Sequence, residues 1–251
     1  MIRVTFKGRI HSDKVGFDLN NMFIKTDLHT HSELSFDGKD TVDDLLEKAS
    51  FVGLDAIAIT DHDEIDASLE AEKKSSRYNI IAIPGMEVTS DVGHILAIGV
   101  REYIEKGLSF EKTVDKIREL GGIAIIPHPF QKTRHGVGAK ISKERLSKVD
   151  GIEVYNSRLL TGWGNRRARR FAEINGIAMT GGSDAHIAEM VGSAGVTVQV
   201  EENTVDGIVK AIRGGETEVW GSRTPMGITI SQGASGVNRV VKSKMKMGMK
   251  K

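Results

Sequence analysis

From residue 22 onward, short apolar runs rich in β-branched residues alternate with segments whose apolar positions recur every three to four residues. The first run, Met22-Phe23-Ile24, leads into a strand expected over 24–29. A helix over 42–52 starts behind Thr41, whose hydroxyl suits the free amides of a first turn. It carries Val42, Leu45, Leu46 and Ala49 on one face and stops at Gly53. A buried strand over 54–60, a helix over 64–77 and a strand over 80–83 follow, the last closed by Pro84 and Gly85. A strand over 94–100 is expected to pair with the segment around 86–89. Ser109 then caps a helix running to Leu120, Gly121 and Gly122 end it, and 123–126 is a strand. The unit repeats as a short helix over 142–148, a strand over 151–155, an Arg-rich helix over 165–174 and a strand over 177–180. A strand over 196–200, a helix over 203–213 and a strand over 217–220 close the series.

Strand then helix, repeated about seven times, predicts parallel strands joined by right-handed crossovers. Either a barrel or an open doubly wound sheet satisfies that order. No Gly-rich phosphate fingerprint follows a strand, so the expected fold is an α/β barrel of the TIM-like kind. The longest stretch without periodicity inside 22–222 is 131–140, so this span is expected to be one catalytic domain. Residues 1–21 then form an N-terminal extension. Residues 223–251, in which Lys242, Lys244, Lys246, Lys250 and Lys251 alternate with Met, form a basic tail expected to be flexible.

Charge is nearly balanced over the 251 residues, 35 Lys and Arg against 34 Asp and Glu, which excludes a global nucleic-acid-binding charge but not a local one. There is no cysteine, so disulfides and thiolate metal sites are excluded and any metal must sit on histidine and carboxylate. The first twenty residues are mixed and charged, and no apolar run approaches a membrane span. A cytoplasmic protein without a membrane partner is expected.

Polar residues gather where the expected strands end. Asp27, His29 and His31 follow the first; Asp61, His62 and Asp63 the second; then come Glu87, His128, the pair Glu153 and Asn156, and finally Asp184 and His186. With His94, six of the eight histidines lie at or next to such positions. In a barrel of parallel strands these ends converge on one mouth. Period two in the first strand sends Asp27, His29 and His31 to one face. Imidazole and carboxylate without sulfur suit Zn, Mn or Fe. Six histidines with Glu87, Asp184 and Asp37 exceed the needs of one ion, so two or three divalent ions are expected, with Glu87 a natural bridge. Such a mouth lowers the pKa of a bridging water and clamps the oxygens of a tetrahedral transition state, which makes phosphate ester hydrolysis the expected reaction.

The motifs DLHTH at 27–31, TDHD at 60–63, HP at 128–129 and SDAH at 183–186 resemble those of the PHP (polymerase and histidinol phosphatase) family over residues 26–222. The resemblance implies a distorted (β/α)7 barrel with a trinuclear centre. It implies that His29, His31, Glu87 and Asp184 hold a first metal, Glu87, His94 and His128 a second, and Asp37, His62 and His186 a third. The segments from His31 to Gly38 and 153–158 resemble the short phosphoesterases of the family. Relatives that act on nucleotide bisphosphates or oligonucleotides carry a sizeable inserted subdomain between the Glu87 region and the HP motif, and only a short helix stands there in this chain.

The expected activity is thus that of a metal-dependent phosphoesterase acting on a small phosphomonoester or nucleotide. Asp61 and Asp63 are candidates for proton transfer to the leaving alkoxide, or for orienting His62 or His29. Arg158, Lys132 and Arg134 are candidates for phosphate contact, and His135 reads as a loop histidine. Arg166, Arg167, Arg169 and Arg170 read as a solvated helix face, or as the extension of an oligonucleotide groove in which Trp163 stacks a base. A hydrolase of short nucleic acids and a non-catalytic scaffold of a nucleoprotein assembly are the alternatives; oligomeric state is open.

Overall fold

Alternation along the strands sorts the apolar side chains to two faces, and the architecture follows from where those faces meet. The computed structural model describes residues 22–131, 136–159 and 162–224. In chain order the described elements are β1 (Met22–Thr30), α1 (Val42–Phe51), β2 (Ala56–Ile59), α2 (Asp66–Lys74), β3 (Ile81–Ile83), β4 (Gly85–Thr89), β5 (His94–Ile98) and α3 (Phe110–Glu119). They continue with β6 (Ile123–Ile126), α4 (Lys143–Leu146), β7 (Gly151–Asn156), α5 (Trp163–Asn175), β8 (Ala178–Gly182), β9 (Ala194–Val200), α6 (Val205–Gly214) and β10 (Thr217–Gly221).

The strands form two five-stranded sheets, ordered β10-β9-β1-β2-β3 and β4-β5-β6-β7-β8. Only Pro84 separates β3 from β4, so the chain passes from one sheet to the other within a residue. In β2, Ala56 and Ala58 face inward while Ile57 and Ile59 face outward; Leu96 and Ile98 of β5 and Ile123 and Ile125 of β6 face the same interior. Val196, Val198 and Val200 of β9 join them, and Ile208 and Ile212 of α6 pack on this shared core. Outside, α1 and α2 cover the first sheet through Leu45, Leu46 and Ala67, and α3 and α5 cover the second through Val114, Ile117, Ala168 and Phe171. Thr41 caps α1 by accepting from Asp44 N, as expected from the sequence.

The expected ring of parallel strands is corrected in two respects. The ladders of the described residues do not close into a barrel, and β1–β9, β9–β10, β4–β5 and β5–β6 are antiparallel. The turn between β4 and β5 is too short for a crossover, which forces a hairpin there. The sheets meet instead through isolated bridges at the strand ends that carry the motifs, Thr30 with Ala185 and His62 with Glu87. Just past residue 222, Thr224 is buried, its N donates to Ser157 O at 3.1 Å, and the two hydroxyls lie 2.8 Å apart. The N-terminal extension 1–21 and the tail beyond residue 224 lie outside the described residues.

Candidate metal centre

Two register shifts aim the side chains of the site. β1 places four residues, Asp27 to Thr30, against the three residues Ile57 to Ile59 of β2, and β7 is shifted between Glu153 and Tyr155. A bulge of this kind re-aims the side chains that follow it. In β1 it parts Asp27 from the histidines, so the expected common face of Asp27, His29 and His31 does not form. Asp27 instead accepts from Ser183 N at 3.0 Å and Gly192 N at 3.0 Å, pinning the segment that carries Asp184 and His186. Burial pushes the Asp27 carboxyl up to about 6 against these hydrogen bonds. Among the described residues, four non-glycine residues have positive φ, and three of them, Asp63 at 51°, His128 at 31° and Asp184 at 53°, stand at these strand ends. Such strain persists where the surroundings impose it, and it concentrates at functional sites.

Glu87 is the hub. Its Oε1 lies 2.9 Å from His94 Nδ1 and 3.7 Å from His128 Nε2; its Oε2 lies 3.3 Å from His29 Nε2, 3.4 Å from His31 Nε2 and 3.3 Å from His62 Nδ1. Against burial, His62, His29, His94 and His128 hold its carboxyl well below the usual range. His31 touches the rings of His29, His62 and His186 at centroid separations of 5.1, 4.7 and 4.4 Å. Asp37 joins through His186 Nε2, 2.7 Å from its Oδ2, and through His62 Nε2 at 3.7 Å. Asp184 Oδ1 lies 3.8 Å from His31 Nε2 and 3.4 Å from His186 Nδ1. The fold thus brings all nine of the expected ligands into one cluster.

The donor atoms fall into four groups, each within 4.8 Å: His29, His31 and Glu87; His62, Glu87 and His94; His29, His128 and Asp184; and His31, His62 and His186. The first three members of the expected first set recur together, whereas His62 rather than His128 accompanies Glu87 and His94. Nδ1 of His31 and Nδ1 of His128 are buried without a hydrogen-bond partner. Unpaired polar atoms are costly in an interior, and a divalent cation is the partner that imidazole and carboxylate together satisfy. The residues fit the metal.

Glu153, in β7, is buried behind His29. Its Oε1 accepts from His29 Nδ1 at 3.0 Å, and its Oε2 accepts from His128 N at 2.8 Å and Asn156 Nδ2 at 3.0 Å. The second hydrogen of that amide goes to Asp184 Oδ2 at 3.1 Å. With Nδ1 committed to Glu153, His29 turns Nε2 toward Glu87. Burial disfavours a charged His29, but Glu153, Glu87 and Asp184 outweigh it and hold its pKa well above the ordinary value. His31 goes the other way: burial, His186 and His62 lower it.

The two expected proton-transfer groups are anchored elsewhere. Asp61 accepts from Ser32 N at 2.6 Å and from the Ser32 hydroxyl; Asp63 accepts from Thr89 N at 2.7 Å and Thr89 Oγ1 at 2.9 Å. Neither bonds to a histidine of the cluster among the described residues, because each carboxylate is taken up in holding a loop to the neighbouring segment. Arg158 does reach the centre, with Nη1 3.0 Å from Asp184 Oδ1 and 2.8 Å from His186 Nδ1. Lys132, Arg134 and His135 lie outside the described residues. Phe36, which the sequence reading passes over, is 75% exposed and stacks on His62 with centroids 4.8 Å apart. An aromatic in the polar turn SFDG was the available signal.

A model of the PHP-associated family matches residues 162–217. An uncharacterized protein of Methanocaldococcus jannaschii is 35% identical over 144 residues, 53% of this chain and 82% of that protein. A two-domain protein of Bacteroides vulgatus containing a predicted PHP-like metal-dependent phosphoesterase superposes with a TM-score of 0.69 at 21% identity, covering 87% of this chain and 70% of its own. The chain belongs to the PHP family. A further neighbour in fold is the lesion-specific endonuclease PfuEndoQ of Pyrococcus furiosus, with a TM-score of 0.61 at 20% identity over 79% of this chain and 58% of that one. Among the described residues no helix of this PHP protein is long and apolar enough to cross a membrane.

Proposed function

We propose that the protein is a metal-dependent phosphoesterase that hydrolyses the phosphate ester of a small phosphomonoester or nucleotide. In this reading two to three divalent cations, Zn, Mn or Fe, are held by His29, His31, Asp37, His62, Glu87, His94, His128, Asp184 and His186. One observation carries it: a buried carboxylate, Glu87, meets five imidazoles within 3.7 Å. A hydrophobic interior does not tolerate that density of ionisable groups without a cation among them. The shared inner core of the two sheets supports reading them as halves of a distorted barrel whose mouth is this cluster.

Bound cations would supply Lewis-acid stabilisation of phosphate oxygens and acidify a water. The chain's own residues do the rest. Glu153 fixes the tautomer and tilt of His29. Asp61 and Asp63 hold the loops that carry Ser32 and Thr89. Arg158, beside Asp184 and His186, offers a guanidinium to a phosphate at the centre. The full set of ligand residues speaks against the scaffold alternative. The test is elemental analysis of purified protein with a phosphate-release screen over phosphomonoesters and nucleotides in Mn. Two to three metals per chain with release supports the reading; no metal and no release after reconstitution overturns it.

A further inference from the structure

One face of α5 carries residues that the metal centre does not use. Trp163, Arg166, Arg167 and Arg170 stand at i, i+3, i+4 and i+7 and are all exposed, while Ala168, Phe171 and Ala172 turn inward. Among the described residues none of these three arginines forms an ion pair with a carboxylate. The Arg167 guanidinium lies 4.3 Å over the Phe130 ring and 5.4 Å from the centre of Trp163, which leaves the indole 56% exposed. At Gly162 a further cation joins Arg166: a Cβ there would stand 3.1 Å from Arg166 Nη1 and 3.6 Å from Arg223 Nη2.

This arrangement costs the free protein stability. Arg166 and Arg170 repel one another at i,i+4. The first turn of α5 holds no acid and its N-cap makes no side-chain hydrogen bond, so Arg166, at the end of that turn, faces the positive end of the helix dipole uncompensated. A polyanion laid along the face removes both penalties.

The stripe begins at the rim of the metal centre. Asn165, in the same turn as Trp163, accepts from Asn156 N and donates to Asn156 O, both at 3.2 Å, and the Asn156 amide touches Asp184. Phe130, under Arg167, is two residues beyond His128. Thr224, next to Arg223, is bonded to Ser157, which precedes Arg158.

We propose that this face binds single-stranded nucleic acid, a base stacking on Trp163 and phosphates lying on Arg166, Arg167, Arg170 and Arg223. The strand would then run toward Arg158 and present a phosphodiester to the metal centre. An exposed indole between cations selects a chain that is both anionic and flat-ringed, which favours nucleic acid over an acidic peptide. The delivery step rests on the phosphoesterase reading; the binding step does not.

Fluorescence anisotropy with labelled oligothymidylate tests the binding step on the full chain. The wild type is expected to bind with a steep salt dependence. Reversing the three helix arginines to Glu should lower the slope of log K against log salt by about two, as for three lost phosphate contacts on a single strand. Arg→Lys at the same positions should keep the slope, and Trp163→Ala should weaken binding about tenfold. All these positions are exposed, and thermal melts check each variant's fold. Absence of wild-type binding, equal binding by the charge-reversed protein, or equal competition by polyglutamate overturns the proposal. Hydrolysis of p-nitrophenyl phosphate in Mn by the wild type separates the two readings: hydrolysis without strand binding removes the face alone, and strand binding without hydrolysis removes the phosphoesterase and leaves the face.

Discussion

Glu153 Oε1 takes the Nδ1 hydrogen of His29 at 3.0 Å, and this contact decides which nitrogen of His29 faces Glu87. The same carboxylate receives His128 N and the Asn156 amide, so one side chain sets the position of two imidazoles and, through Asn156, of Asp184. Glu153→Gln keeps the volume but replaces an acceptor oxygen with a donor. The expected result is a ten- to hundredfold loss of Mn affinity, the usual effect of removing a residue that orients a metal-bound histidine. Competition with a fluorescent chelator measures it, and unchanged affinity would reduce Glu153 to packing.

Gly182 makes that contact possible. A Cβ at this position would stand 2.5 Å from His29 Cβ and 2.6 Å from Glu153 Oε1, closer than atoms approach. Gly182→Ala should therefore part the pair, lower Mn affinity in the same direction as Glu153→Gln, and cost about 1–3 kcal/mol of stability from overpacking. Thermal melts in chelator give the stability change. If the variant melts as the wild type and binds Mn equally, the close approach is not what orients His29.

Much of this centre is legible in the sequence because its parts sit at strand ends, where a short apolar run stops and a His or Asp follows. β6 is read from end to end for the same reason, with both flanks punctuated, by Gly121-Gly122 and by Pro127. Strand direction is not legible. A strand, a helix and a strand read alike whether the second strand is parallel or antiparallel, and β9, α6 and β10 prove antiparallel. The bulge in β1 adds a residue without any mark in composition, so alternation alone puts Asp27 on the wrong face. The positioning role of Glu153 is hidden too, because its partner His29 is 124 residues away.

Asp61 and Asp63 separate chemistry from architecture. Both oxygens of Asp61 receive donors from Ser32, and both oxygens of Asp63 receive donors from Thr89. Asp61→Asn leaves one good acceptor and is expected to destabilise by about 1–3 kcal/mol while keeping turnover within about tenfold. Steady-state rates at matched metal content check this. A loss of a hundredfold or more, with metal retained, would restore Asp61 as a proton-transfer group.

Loading the centre must expel protons at neutral pH. Burial lowers the basicity of His62, but Glu87 and Asp37 more than reverse it and bring the pKa up to about 9; His29 is raised in the same way. At pH 7, below about 9, the His62 imidazole carries a proton in the metal-free protein, and a cation needs the lone pair that the proton occupies. Mn binding at pH 7 should therefore release at least one proton, and affinity should rise between pH 7 and pH 9. The metal-free fold has the opposite trend. A histidine raised above its unfolded pKa of 6.5 stabilises fully below that value and loses the contribution as pH climbs through about 9, so the stabilisation by Mn widens with pH. His31, lowered by burial and by His186 and His62, is already neutral and adds no proton to the count. Calorimetric titrations in buffers of different ionisation enthalpy measure the release directly; a heat independent of buffer would mean that the ligands stand deprotonated before the metal arrives.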